Sequence, residues 1–212
     1  MTFTGLSSIE NAGTFHFTQT GGNQPITLES DINNTGTIDW EGGNFTSTGG
    51  ATITNSATMN LNANNGMTGV DIVNTGALNR TVLGTNPLVM TNSITNSGGT
   101  LTLDAGTAMT FSGTLVNTGT MTANGQTNFT NGTFDLGGGT MSGTGDLDLH
   151  GGNTFSSDVT FGVVSVVHNS FSTLTGTNGA NMTIPSGTNY QTINTATITG
   201  FSSVDNLSLI HI

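Results

Sequence analysis

Lysine and cysteine are both missing from this chain of 212 residues, and Arg80 is its only strong cation. Without cysteine there is no disulfide framework and no thiol chemistry, which fits a bacterial surface protein. One arginine stands against twelve carboxylates, for a formal charge of −11. Nucleic acid is excluded as a partner, because its binding needs cationic side chains to displace counterions from the phosphates. Anionic membrane surfaces are disfavoured on the same ground. No run approaches the roughly 18 to 20 apolar residues that cross a bilayer, so no membrane insertion is expected in this segment. The opening, MTFTGLSSIENAG, has neither a basic start nor an apolar core and is no signal peptide. The expectation is a removed signal or an internal piece of a longer chain.

Charge of either sign is scarce. Only 6% of the residues are charged, against about 25% in an average soluble protein. Threonine, glycine, asparagine and serine take up the difference. Disordered chains are rich in charge and poor in β-branched residues, so disorder is a poor reading here. The 43 threonines, with alternating Ile, Leu, Phe and Met, favour strands, and strong helix formers are nearly absent. Little or no α-helix is expected.

What is present is a repeat. One phrase, an apolar residue followed two positions later by asparagine and then by alternating apolar residues, starts at Ile9, Ile32, Ile53, Ile72, Ile94, Leu115 and Phe129, in steps of 23, 21, 19, 22, 21 and 14. A period near 20 with one polar residue held per unit marks a stacked array. After each asparagine the order polar, apolar, polar, apolar, as in Thr58-Met59-Asn60-Leu61, places the apolar members on one face of a strand. Two or three such strands per unit, separated by Gly, Asn and Ser clusters, close one turn of a coil. The fold class expected is all-β, a parallel β-helix of about ten rungs of roughly 21 residues. Neighbouring rungs lie about 4.8 Å apart, so the asparagines are expected to stack as an internal ladder of Asn11, Asn33, Asn55, Asn74, Asn96 and Asn117. Asn131 aligns less securely. The short step to Phe129 reads as a change of register, with MSGTGDLDL from Met141 recovering the pattern and Gly143 in the asparagine column. Residues 1–152 read as regular rungs; 153–212 read as drifted rungs or a terminal cap. LSLIHI, residues 207–212, resembles a translated sequencing-adapter peptide, which implies a foreign tail. The competing reading packs Leu207, Leu209 and Ile212 on the last rung as an ordinary strand.

Few residues carry chemistry. General acid–base work needs groups within a few Å of each other, and the pairs Asp39/Glu41 and Asp146/Asp148 each point two carboxylates the same way along a strand. They are the candidate binding residues, and a solvated acidic face is the competing account of both. Arg80 occupies the column of Trp40, Leu61 and Leu103, and is expected at the rim beside Asp71. A calcium ion could bridge Asp146 and Asp148, but such a site needs six to eight oxygen ligands. His16, His150, His168 and His211 are far apart, and each is expected to be solvated. No metal site, cofactor or catalytic residue is assigned. Threonine columns on a flat face are the pattern of ice-binding solenoids. The outward pairs, read as Thr14/His16, Thr37/Asp39, Thr58/Asn60, Ala77/Asn79, Thr100/Thr102, Thr120/Thr122, Thr133/Asp135 and Asp146/Asp148, are Thr-x-Thr in only two of eight.

The phrases LVNTGTMTA, INNTGTIDW and IENAGTFHF resemble the repeats of bacterial filamentous-haemagglutinin-like and autotransporter-type passenger domains, over about residues 9 to 150. The resemblance implies a right-handed parallel β-helix and an extracellular or cell-surface location. It also implies a structural or adhesive role toward glycans, matrix or neighbouring cells, and it carries over no catalytic residue. The expectation is a non-enzymatic adhesin segment. A carbohydrate-active β-helix, gathering Asp39, Glu41 and Arg80 or the Asp146/Asp148 pair, is the alternative, followed by an ice-binding solenoid.

Overall fold

The computed structural model describes residues 1–18, 24–81, 87–169, 171–207 and 210–211, and these form strands and turns with no helix. The strands pair only in parallel, most of them with the strand one turn earlier and the strand one turn later. Ile32 lies beside Ile53, Ile53 beside Ile72, Ile72 beside Ile94, Ile94 beside Leu115, Leu115 beside Phe134 and Phe134 beside Phe155. The result is a right-handed β-solenoid of about nine turns of about 21 residues, close to the expected ten.

A turn has three faces, represented by Ala108–Phe111, Thr114–Asn117 and Thr120–Ala123. The first and second faces belong to one 19-stranded sheet, because Phe45–Asn55 and Gly66–Asn74 run through the corner between them. The third face is a seven-stranded sheet running from Thr14–Phe17 to Thr140–Ser142. A bridge from Ser142 to Gly162 leads on to a three-stranded sheet of Val159–Thr160, Asn181–Ile184 and Ser203–Asn206.

Alternation along each strand builds the core. Ile38, Met59, Leu78, Leu101, Met121 and Met141 form the inward column of the third face, and all are buried. Phe45, Met67, Met90, Phe111, Phe129 and Leu149 do the same on the first. Phe129 stacks on Phe134 with ring centroids 4.0 Å apart, and Phe155 lies 5.6 Å from Phe134, so aromatic rings fill this section of the interior. The corner after the asparagine demands a residue without a side chain. A Cβ at Gly119 would overlap the carbonyl oxygen of Gly99 in the turn before.

The apparent change of register does not occur. Phe129 is a first-face residue, and Phe134 takes the place of Leu115 after a regular step. What changes is the residue two positions on, where buried Leu136 stands instead of asparagine. Asn131 lies at the corner before Phe134 with a positive φ, and Gly143 lies past the end of the third-face strand, so neither belongs to the asparagine column. Past Asn153 the parallel register continues, through Leu174 beside Ile198 and Met182 beside Val204, without the asparagine. Leu207 is largely exposed and its backbone N–H donates to the Ile184 carbonyl at 2.9 Å, while Leu209 and Ile212 lie outside the described residues.

Candidate functional site

The interior ladder runs through Asn11, Asn34, Asn55, Asn74, Asn96 and Asn117. From Asn11 to Asn96 each Nδ2 donates to Oδ1 of the next asparagine at 2.6–2.7 Å, and Asn117 ends the ladder. The other amide hydrogen reaches a third-face carbonyl, on Thr37, Thr58, Ala77, Thr100, Thr120 and Thr140 in turn. Every amide is therefore consumed in holding turns in register. Asn33 is not in this column. It alternates to the outside, where it donates to Glu10 Oε1 at 2.7 Å, and that bond, followed by one from Ser8, holds the Glu10 carboxyl below its usual range. Strand alternation makes a one-residue error in the column a change of face.

Arg80 is wholly buried, not at the rim. It sits one turn before Leu103 in the inward column, and its stem fills core space there. Nη1 donates to the carbonyls of Leu61 at 2.7 Å and Ala63 at 2.6 Å, and Nη2 donates to Asn64 Oδ1 at 2.7 Å. Nε has no partner among the described residues, and burial lowers the pKa of the guanidinium. Asp71 instead accepts from the backbone of Ser93 at 2.9 Å. No site gathers Arg80 with Asp39 and Glu41.

The two acidic pairs lie on different faces. On the third face, Asp39 is 3.3 Å from His16 Nδ1 and accepts from Asn60 Nδ2 at 2.7 Å, while Glu41 is 4.0 Å from the same imidazole nitrogen. On the first face, Asp148 accepts from Gln126 Nε2 at 2.9 Å and lies 4.0 Å from His150 Nε2. Asn169 Nδ2 meets His150 Nε2 at 3.2 Å. Among the described residues no group of three or more His, Asp or Glu is arranged to hold a metal.

The threonine column of the third face is more regular than the outward pairs read from the sequence. Thr14, Thr37, Thr58, Ala77, Thr100, Thr120 and Thr140 lie side by side. Thr133/Asp135 and Asp146/Asp148 belong to the second and first faces, and Thr140/Ser142 takes the seventh place. The neighbouring column reads His16, Asp39, Asn60, Asn79, Thr102, Thr122 and Ser142, so hydroxyls fill both columns only from Thr100 onward.

Two concavities flank the strand Asp146–His150. One, at the corner between third and first faces, has a volume of about 350 Å³ and is lined by Asn124, Gln126, Thr144 and Asp146 with their glycine neighbours. The other, on the first face, has a volume of about 520 Å³ and is lined by Pro87, Thr110, Gln126, Asn128, Asp148 and His150, with Thr130 beside them. Gln126 belongs to both. Sequence reasoning reached Asp146 and Asp148 here but not Gln126, Asn128 or Thr110, because these meet only through pairing across turns of unequal length.

His16 is exposed and His150 half-buried, whereas His168 is buried in the inward column that continues Leu149. Its Nδ1 meets the Tyr190 hydroxyl at 3.2 Å, and Nε2 has no partner among the described residues. Burial lowers the imidazole pKa, against a smaller opposing effect from Ser172. The same burial raises the Tyr190 phenol. The side chain of His211 lies outside the described residues.

The fold and these surfaces define a β-solenoid repeat protein. Comparison with protein-family models, with curated proteins and with solved structures found no match.

Proposed function

We propose that this chain is a structural and adhesive segment of a bacterial secreted or cell-surface protein, acting by contact and without catalysis. The observation that carries the reading is the division of labour among its polar residues. The regular asparagines are spent inside the coil, and the outside presents long columns of uncharged hydroxyls and amides with few acids and no exposed strong cation among the described residues. Such a rod presents many weak hydrogen-bonding positions along its length, and weak contacts that repeat gain strength by multivalency. An extracellular setting accords with the lack of cysteine and with the resemblance of the repeat phrase. The test is retention of the purified chain, coupled to beads at high density, on mammalian and bacterial cells and on extracellular matrix. Retention above that of beads carrying an unrelated acidic protein supports the reading; equal retention refutes it.

The rungs at Thr100/Thr102, Thr120/Thr122 and Thr140/Ser142 favour a second reading, an ice-binding plane. Its extent is short, since His16 and Asp39 break the second column at the other end. Thermal hysteresis decides it: a gap between melting and freezing points that disappears in Thr120→Leu supports the plane.

A further inference from the structure

The third face parts at one level of the coil. Its seven-stranded sheet ends at Thr140–Ser142 and its three-stranded sheet begins at Val159–Thr160, and the bridge from Ser142 to Gly162 is the join between them. The other two faces run through the same level without a break, from Phe129 to Leu149 to His168 and from Phe134 to Phe155 to Gly176. Local bonding favours the parting. At the corner, Asp158 turns to the following turn and accepts from Asn181 N at 2.8 Å and Nδ2 at 2.9 Å. The Gly162 N–H donates back to the Thr160 carbonyl at 3.1 Å, within its own segment.

This seam gives access to the interior. A cleft of about 340 Å³ lies along it, lined by Leu136, Met141, Asp158 and Thr160 among others. Met141 is the inward residue of its strand, one turn after Met121, and the bridge at Ser142 sets it one turn before Phe161. Of the eight methionines, Met1 is exposed and the other seven belong to the core. Met59, Met67, Met109, Met121 and Met182 are 0% exposed and Met90 2%, whereas Met141 is 7% exposed. A thioether in a sealed column meets an oxidant only when the coil opens, while one that lines a cleft meets it in the folded state.

We propose that Met141 is the core residue at which peroxide oxidises the folded chain, and that its sulfoxide loosens the third-face seam. In the step, a sulfur lone pair attacks one oxygen of hydrogen peroxide, an S–O bond forms and the O–O bond breaks. The hydroxide released takes the proton of the transferred hydroxyl and leaves as water, so the sulfur is oxidised and the peroxide reduced. The product is a polar hydrogen-bond acceptor in a column whose neighbours, Met121 and Phe161, have no side-chain donor. Thr140 and Thr160 are exposed on the cleft, and bonding to their hydroxyls or to water requires the sulfoxide to leave the column. Elsewhere three hydrogen-bonded faces resist such a shift, and here only two are continuous.

The experiment exposes the full folded chain to excess hydrogen peroxide and follows each methionine by proteolysis and mass spectrometry, with Met1 as the exposed standard. Met141 is expected to oxidise at least about tenfold faster than Met59, Met109 and Met121, which react only through opening of the coil. After oxidation at Met141 the melting temperature is expected to fall by about 4 °C, with faster amide exchange at Met141 and Phe161. Met141→Leu, which conserves volume, should lose that shift under the same treatment, and Met121→Leu should keep it. Equal rates at Met141 and Met121 overturn the proposal. So does a Met141 sulfoxide that leaves the melting temperature or that exchange unchanged. A shift that persists in Met141→Leu, shown folded by circular dichroism, overturns it as well.

Discussion

Asn55 donates one amide hydrogen to Asn74 Oδ1 at 2.6 Å and the other to the Ala77 carbonyl at 3.0 Å, inside the coil and out of contact with water. Asn74 repeats the arrangement toward Asn96 and Thr100. Removing one rung of the ladder thus leaves an orphaned donor on one side and an orphaned acceptor on the other. Asn74→Ala is expected to destabilise the chain by about 2 to 4 kcal/mol. Asn33→Ala, which removes only a surface bond to Glu10, is expected to change stability by less than about 0.5 kcal/mol. Urea denaturation of the two variants measures the difference, and equal losses would remove the ladder from the account of stability.

Gly119→Ala tests the corner. Its Cβ would meet the carbonyl of Gly99 and lie 2.9 Å from Asn96 Nδ2, so the backbone of the preceding turn must move. A loss of about 1 to 3 kcal/mol is expected. Gly98→Ala, whose new methyl would meet nothing but whose φ is +75°, isolates the conformational cost at about 1 kcal/mol. The order of their melting temperatures, Gly119→Ala below Gly98→Ala, is the readout.

His168 makes stability depend on pH. Its pKa in the folded chain is lowered by burial, so between that value and its ordinary 6.5 the unfolded chain holds more protons. Its contribution is complete above pH 6.5 and is lost as pH falls below it. At pH 5 the loss reaches at most about 2 kcal/mol. The lowered carboxyls of Glu10 and Glu29 act below 4.5, outside this window. Denaturation midpoints at pH 7 and pH 5 should differ in the wild type and converge in His168→Leu.

Arg80 is a buried cation with amide and carbonyl partners only. Arg80→Ala opens a cavity and frees the Leu61 and Ala63 carbonyls, with an expected loss of about 3 to 5 kcal/mol. Arg80→Met keeps the stem volume, removes the buried charge and should recover more than half of that loss. Thermal unfolding of both variants checks the order.

The coil could be read from the chain because its signals are local. Thr-x-Thr or Thr-x-Asn alternation, N-x-G corners and a period near 21 all lie within one turn. The asparagine column was legible to within one residue, and at Ile32-Asn33-Asn34 two adjacent asparagines hid which one faces inward. Once Leu136 replaced asparagine, the repeat lost its marker although the stacking did not change. Arg80 misled for a related reason. Its charge argued for the rim, whereas its place between Leu61 and Leu103 in one column argued for the interior, and the free carbonyls of Leu61 and Ala63 decided the matter.

Composition and periodicity alone determined an all-β stacked coil, because β propensity and alternation act within a few residues. Which residues share a surface was decided only by tertiary structure. Turns of 18 to 25 residues shift the count from one rung to the next, so Gln126, Asp148, His150 and Asn169 meet through parallel register and not through any spacing in the chain.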